Sequence, residues 1–326
     1  MKFPAFVHCA PRLWCLSLLI LGSACLFARP DTVKVGAFIT NLYDIDLADR
    51  SFHTDFWVWF VYDDPELAPL ETMEIPRLKD VEYTLPYVET KGGKQWATQK
   101  VRTTIRENFD VRDFPFDVQL LEIEIEESDA DTSGLVYVAD VTNTKYDERI
   151  SLTGWYVRDF GIQQVNKAYQ TNYGDPVLGD GESVYPNVLI TMILERKSFG
   201  LFLTLFTGLY VAFFISMLVF WIDPVDVDPR FGLSVGGLFA AVGNKYIVDS
   251  LLPQSASFTL VDILHVVTYV SLLVCIILSV YSLRLWKSRR RSASRRLDRW
   301  AFWGLMALYV LINVAFIIRA ASHDHF

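Results

Sequence analysis

The spacing of apolar positions along the chain changes character once, near residue 197. From Asp31 to Lys197 apolar and polar residues alternate with period two, and turn residues recur about every ten positions. The run Leu120-Leu121-Glu122-Ile123-Glu124-Ile125-Glu126 alternates without a break, so one of its faces is expected to be buried and the other wet. The same pattern predicts strands over Thr32–Asn41, Asp55–Tyr62, Lys100–Phe109 and Asn187–Glu195. Between strands stand Lys91-Gly92-Gly93-Lys94, Asp129-Ala130-Asp131 and Gly174-Asp175-Pro176, which have the chemistry of turns. No stretch in this half sustains a helical period. The pattern therefore predicts an all-β, immunoglobulin-like antiparallel sandwich over residues 29–197.

After Lys197 the apolar runs become long. Ser198–Ile222 is a run of 25 residues, enough to cross a hydrocarbon core of about 30 Å at about 1.5 Å per residue. Further spans are predicted at about 229–252, 258–286 and 300–319, so residues 198–326 read as an all-α domain of four membrane helices. Composition agrees: the 326 residues are 52% hydrophobic and 21% charged, more apolar than soluble domains usually are. The net charge of −8 argues against a nucleic-acid partner.

Residues 1–28 read as a signal peptide. Lys2 and Arg12 precede a short apolar core, Leu13 to Leu21, and the small residues Gly22, Ser23 and Ala24 follow. A lipid-modified Cys25 is the alternative. Cys9, Cys15 and Cys25 all lie in this segment, so a cleaved protein keeps only Cys275 and has no intrachain disulfide. Arg284, Lys287, Arg289, Arg290, Arg291, Arg295, Arg296 and Arg299 surround the third connection, with Asp298 the only acid among them. Positive charge stays inside, which makes the 287–299 loop cytoplasmic and, counting back, the β-domain extracytoplasmic. Anionic lipid head groups are the natural neighbours of that basic run.

The second span is the least apolar. At helical spacing one stripe reads Asp228, Gly232, Gly236, Phe239, Gly243, Tyr246, Ser250. Its glycines have two explanations, close helix packing or the wall of an aqueous path. A single such helix encloses nothing, whereas symmetry copies enclose a channel. Residues two apart on a helix point about 200° from one another. If Asp228 faces such an axis, Arg230 turns toward neighbouring helices or head groups.

Several motifs in order resemble those of the pentameric ligand-gated ion channels, the Cys-loop receptor superfamily, in their prokaryotic form. Asp113-Phe114-Pro115-Phe116-Asp117 is similar to the signature loop, with Glu107 and Leu121 at the two namesake cysteine positions. Tyr43-Asp44-Ile45-Asp46 with Phe52 resembles the first hairpin, Leu152-Thr153-Gly154-Trp155 a later strand start, and Asp249-Ser250-Leu251-Leu252-Pro253 the end of the pore helix. Glu195-Arg196-Lys197 sits where the family keeps an arginine before its first span. The resemblance implies a homopentameric ligand- or proton-gated channel with the stripe above lining its pore, and a ring of Asp228 at the cytoplasmic mouth would attract monovalent cations and repel anions. A non-conducting receptor of the same fold is the alternative. It further implies that Phe114, Pro115, Phe116, Asp117 and Arg196 couple the sandwich to the membrane domain, with Asp46 or Asp49 nearby. Three features depart from the family. The first span lacks a proline, the stripe offers glycines and aromatics instead of hydroxyl and aliphatic rings, and no Trp-x-Pro element stands between Pro65 and Pro86.

In this family the agonist lies under the hairpin before the last strand, here about Tyr169–Pro186, which carries Tyr169, Tyr173, Asp175, Asp180, Glu182 and Tyr185. Phe56, Trp57, Trp59 and Phe60 lie on a strand that could face it. Aromatics beside carboxylates suit an amine or ammonium, and a proton is the rival agonist because extracytoplasmic carboxylates are many. For an enzyme the signals are poor. Beyond the leader the histidines are His53, His265, His323 and His325, and no metal spacing, nucleophile elbow or phosphate loop occurs. No cofactor or metal is expected.

Overall fold

Strand pairing in the first half builds two sheets. The computed structural model describes residues 29–174, 183–254 and 257–322. The 1–28 leader with its three cysteines, the hairpin acids Asp175, Asp180 and Glu182, and the tail residues His323, Asp324 and His325 lie outside the described residues. In chain order the elements are β1 (Asp31–Asp46), β2 (Ser51–Tyr62), the single turn α1 (Pro69–Thr72), β3 (Met73–Glu74), β4 (Leu78–Tyr83), β5 (Tyr87–Lys91) and β6 (Lys94–Arg106). There follow β7 (Val118–Glu127), β8 (Leu135–Ala139), β9 (Lys145–Tyr146), β10 (Trp155–Gln164), β11 (Lys167–Tyr169), β12 (Ser183–Tyr185) and β13 (Asn187–Arg196). One sheet runs β4-β6-β2-β1-β8, with β5 on β6 and β9 on β1; the other runs β10-β13-β7-β3. β11 and β12 form a separate hairpin.

All five strands read from alternation are present. Two details differ from that reading. β8 and β9 join β1 in parallel, so the sandwich is not wholly antiparallel. β8 reaches β1 from β7 of the opposite sheet and β9 follows β8 along the same strand; neither is joined to β1 by the tight hairpin that forces antiparallel pairing. Second, the acidic face of β7 is not wet. Leu121, Ile123 and Ile125 enter the core with Phe52, Phe56, Phe60 and Val188. Glu126 on the other face is also buried, bonded by Tyr169 of the β11–β12 hairpin, and Arg77 pairs with Glu122 and Glu124 on the same face. At the β5–β6 turn the left-handed backbone is supplied by glycine. Gly92 and Gly93 close the two-residue β5–β6 hairpin at φ +60 and +81, the mirror-image turn that matches strand twist.

Among the described residues four helices are long and apolar enough to cross a membrane. They are α2 (Ser198–Met217, extended by a 3-10 turn over Leu218–Trp221), α3 (Val227–Asp249), α4 (Leu260–Lys287) and α5 (Arg291–Ala321). α5 begins nine residues before the span predicted at 300–319. Its first turns carry the basic run, which hydropathy alone assigns to a loop, although arginine and leucine favour helix. α4 opens on a capping box, Thr259 and Asp262 exchanging side-chain and backbone bonds. α2 and α3 approach closely at Gly237, where a Cβ would sit 1.9 Å from Ser216 Oγ and 2.8 Å from the Ala212 carbonyl. Asn244 ties the same pair by donating to the Leu205 carbonyl at 2.8 Å.

Candidate functional site

The last strand runs directly into the first span, and Arg196 sits at that joint. Its guanidinium forms a two-pronged pair with Asp117, Nε to Oδ1 at 2.6 Å and Nη2 to Oδ2 at 2.9 Å, the strong planar geometry for this pair. Gln119 Nε2 donates to the same carboxylate at 2.6 Å. The guanidinium lies 3.8 Å over the Trp155 ring and 5.0 Å from that of Phe114. Trp155 is delivered there by the left-handed Gly154, φ +86, and by its pairing with Arg196 across β10 and β13. Asp117 is buried, so both charges are held out of water and depend on one another.

The sandwich base touches the membrane helices at three further points. Phe116 packs on Phe202 of α2 with ring centroids 5.6 Å apart. The Leu260 N–H at the start of α4 donates to the Arg112 carbonyl at 2.7 Å. Arg50, in the β1–β2 turn at φ +52, donates through Nη2 to the Gln254 carbonyl just after α3, at 2.8 Å. Phe114 and Pro115, joined by a cis bond, complete the loop between these points. Asp46 and Asp49 take other partners than Arg196. Asp46 accepts from the Asp49 N–H, and Asp49 binds Lys79 and Ser51, which hold its carboxyl below the usual range, Lys79 contributing most. The hairpin residue that reaches the membrane domain is the intervening Arg50, whose isolated charge gave no signal in sequence beyond its place in the turn.

On α3 two faces separate cleanly. Arg230, Ser234, Gly237, Ala241 and Val248 are buried against the other helices. Asp228, Gly232, Gly236, Phe239, Gly243, Tyr246 and Ser250 are all exposed on the opposite face. Phe239 and Tyr246 are 72% and 80% exposed. A Cβ on Gly232, Gly236 or Gly243 would meet nothing within 4 Å, so within one subunit these glycines serve no helix contact. The packing glycine is Gly237. Arg230 is 2% exposed; it pairs with Asp298 of α5 at 2.7 Å and donates to the Ile222 carbonyl at 2.6 and 3.0 Å. Its charge is thereby neutralised inside the bundle. At the other end of the helix Lys245 bridges Asp249 and, at 2.9 Å, Asp262 of α4.

The structure brings Tyr169, Tyr173 and Tyr185 together, their rings 5.8 to 6.1 Å apart and edge-on. Tyr169 donates to Glu126 at 2.8 Å, and burial, followed by this bond, pushes its phenol well above the usual range. Trp57 and Trp59 belong to the other sheet. Trp59 lies on Gly36, where a Cβ would come within 2.5 Å of the indole, and donates to Asp140 at 3.3 Å. Phe56 and Phe60 are fully buried core residues, because successive strand positions alternate between faces.

No protein-family model matches the chain. Over 272 residues, 76% of this chain and 72% of the relative, it is 21% identical to a proton-gated ion channel of Gloeobacter violaceus. A β-sandwich followed by four apolar helices, with distant homology to a proton-gated channel over most of its length, gives the chain the fold of the pentameric ligand-gated ion channels.

Proposed function

We propose that the chain is one subunit of a homopentameric, ligand- or proton-gated channel that conducts monovalent cations along a path lined by α3. Its β-domain faces the periplasm and its basic α4–α5 connection the cytoplasm, in the bacterial inner membrane. The exposed stripe on α3 carries this reading. A face bearing Asp228, three open glycines and Ser250 is unsuited to lipid, and the buried Arg230–Asp298 pair fixes that face away from the bundle. Copies around an axis turn each stripe residue into a ring and remove the face from lipid. Arg291 and Arg295 stand over Trp286 at the α4–α5 connection, a pairing suited to anionic head groups. The three tyrosines beside Glu126 suit an ammonium agonist, and carboxylates on the same sheet suit a proton. The bulk of Phe239 and Tyr246 on the stripe favours, as a second reading, a receptor of this fold that does not conduct.

Native mass spectrometry of the purified protein in detergent is expected to show a pentamer. A stable monomer or dimer would remove the channel reading.

A further inference from the structure

Glu107 stands where the signature loop leaves β6, and it is 8% exposed. Arg77, in the turn before β4, meets it at 3.2 Å and also reaches Glu122 and Glu124 of β7, each at 3.1 Å. Lys167 of β11 meets Glu124 at 2.5 Å, and Asn187 donates to Glu124 at 3.4 Å. Three carboxylates thus share two cations in a partly buried cluster, which is short of one positive charge. The Glu107 carboxylate accepts from Arg77, from the Asn108 N–H at 2.9 Å and from the Glu122 N–H at 3.3 Å; these donors favour its charged form, and burial beside the Glu122 carboxylate works against them. The Glu122 contact spans the loop, so this side chain closes the loop base. The Glu107 N–H in turn donates to the Arg50 carbonyl at 2.9 Å, and the Arg77 carbonyl accepts from the Arg106 N–H at 2.9 Å. Since Arg50 also binds the Gln254 carbonyl, the cluster lies one residue from the linker that follows α3.

We propose that Glu107, in its cluster with Arg77, Glu122 and Glu124, is a proton-binding site that tightens the base of the signature loop onto the β1–β2 turn. This deepens the channel reading above and rests on it for its consequence in gating. The missing positive charge is the proton. Burial pushes the Glu107 carboxyl above its ordinary value and Glu122 adds to the rise, while Arg77 and the two backbone N–H groups oppose it. A carboxyl raised in the packed cluster stabilises that packing in acid, and the contribution is lost as pH rises through the raised value. Acid therefore favours the arrangement in which Arg50 is held on the pore-helix linker. Alkali favours a loosened base with Glu107 hydrated.

Infrared difference spectra of the full-length purified protein, acid minus neutral, test the site directly. Wild type is expected to show a carboxylic-acid C=O band that Glu107→Gln lacks. In Glu124→Gln that band is expected at lower pH, because the surplus negative charge is gone. In the same preparations the pH midpoint of activation is expected to move toward alkali by about one unit or more in Glu107→Gln, since the amide mimics the protonated acid. An identical band in Glu107→Gln, or an unmoved midpoint, overturns the proposal. A wild type that passes no current at any pH defeats the channel reading instead, and the infrared band still decides the site.

Discussion

Arg196→Ala leaves a folded, membrane-inserted oligomer that no longer answers its stimulus; this is the largest effect expected of any substitution at the junction. The Arg196 guanidinium meets Asp117, Trp155 and Phe114 at the sandwich base, and the bond from Ser198 of α2 goes to its backbone carbonyl, so the four-helix bundle keeps its own packing. Removing one member of a buried pair leaves the other charge uncompensated, at a cost of about 3–5 kcal/mol. That cost falls on the base of the signature loop, whose Arg112 carbonyl and Phe116 ring touch α4 and α2. Asp117→Ala should do the same, and the double variant should lose little more than either single one, because both remove one interaction. Current responses, with size-exclusion profiles to establish assembly, read the outcome. Activation of either variant like wild type would take these residues out of the mechanism.

In α3 two substitutions should act in different ways. Asp228→Ala is expected to cut the cation-to-anion permeability ratio several-fold, while Phe239→Ala eases opening and leaves that ratio nearly unchanged. In the proposed pentamer five Asp228 carboxylates would meet at one narrow mouth and add their potentials in a confined space. They also offset the positive N-terminal ends of the five α3 helices, since Asp228 lies in the first turn. Arg230, two residues on, is the obvious objection to cation selectivity. Its pairing with Asp298 and the Ile222 carbonyl inside the bundle removes it. In the same proposed assembly five Phe239 rings would form an apolar constriction that opens by wetting, and alanine there should lower the barrier. Reversal potentials under a salt gradient separate the two effects. No shift in Asp228→Ala would put a different face of α3 on the pore.

Much of this was legible before any coordinates. Period-two alternation located β1, β2, β6, β7 and β13 because each has one face in the core, as with Leu121, Ile123 and Ile125. The short edge strands β4, β5 and β11 bury little, so they left no pattern. Alternation also misjudged the outer face of β7. A glutamate looks wet in sequence, and only the folded β11–β12 hairpin and Arg77 show that Glu124 and Glu126 are covered. At the junction, the bond from Arg50 to Gln254 joins residues far apart in the chain through a backbone carbonyl, which no side-chain motif announces. On α3, spacing alone gave the seven-residue stripe but left its glycines open between packing and lining. The space around each glycine divides them: Gly237 packs against α2, and Gly232, Gly236 and Gly243 face open space.

A single recording decides whether copies of this chain enclose a cation path along α3. The purified wild-type protein, incorporated in a planar lipid bilayer under a potassium chloride gradient, is stepped from neutral to acid pH and then exposed to a panel of small amines. The account predicts unitary currents, triggered by one of these stimuli, whose reversal potential lies toward the potassium equilibrium potential. Currents reversing toward the chloride potential, or a silent bilayer from a preparation shown to be assembled and inserted, would contradict it.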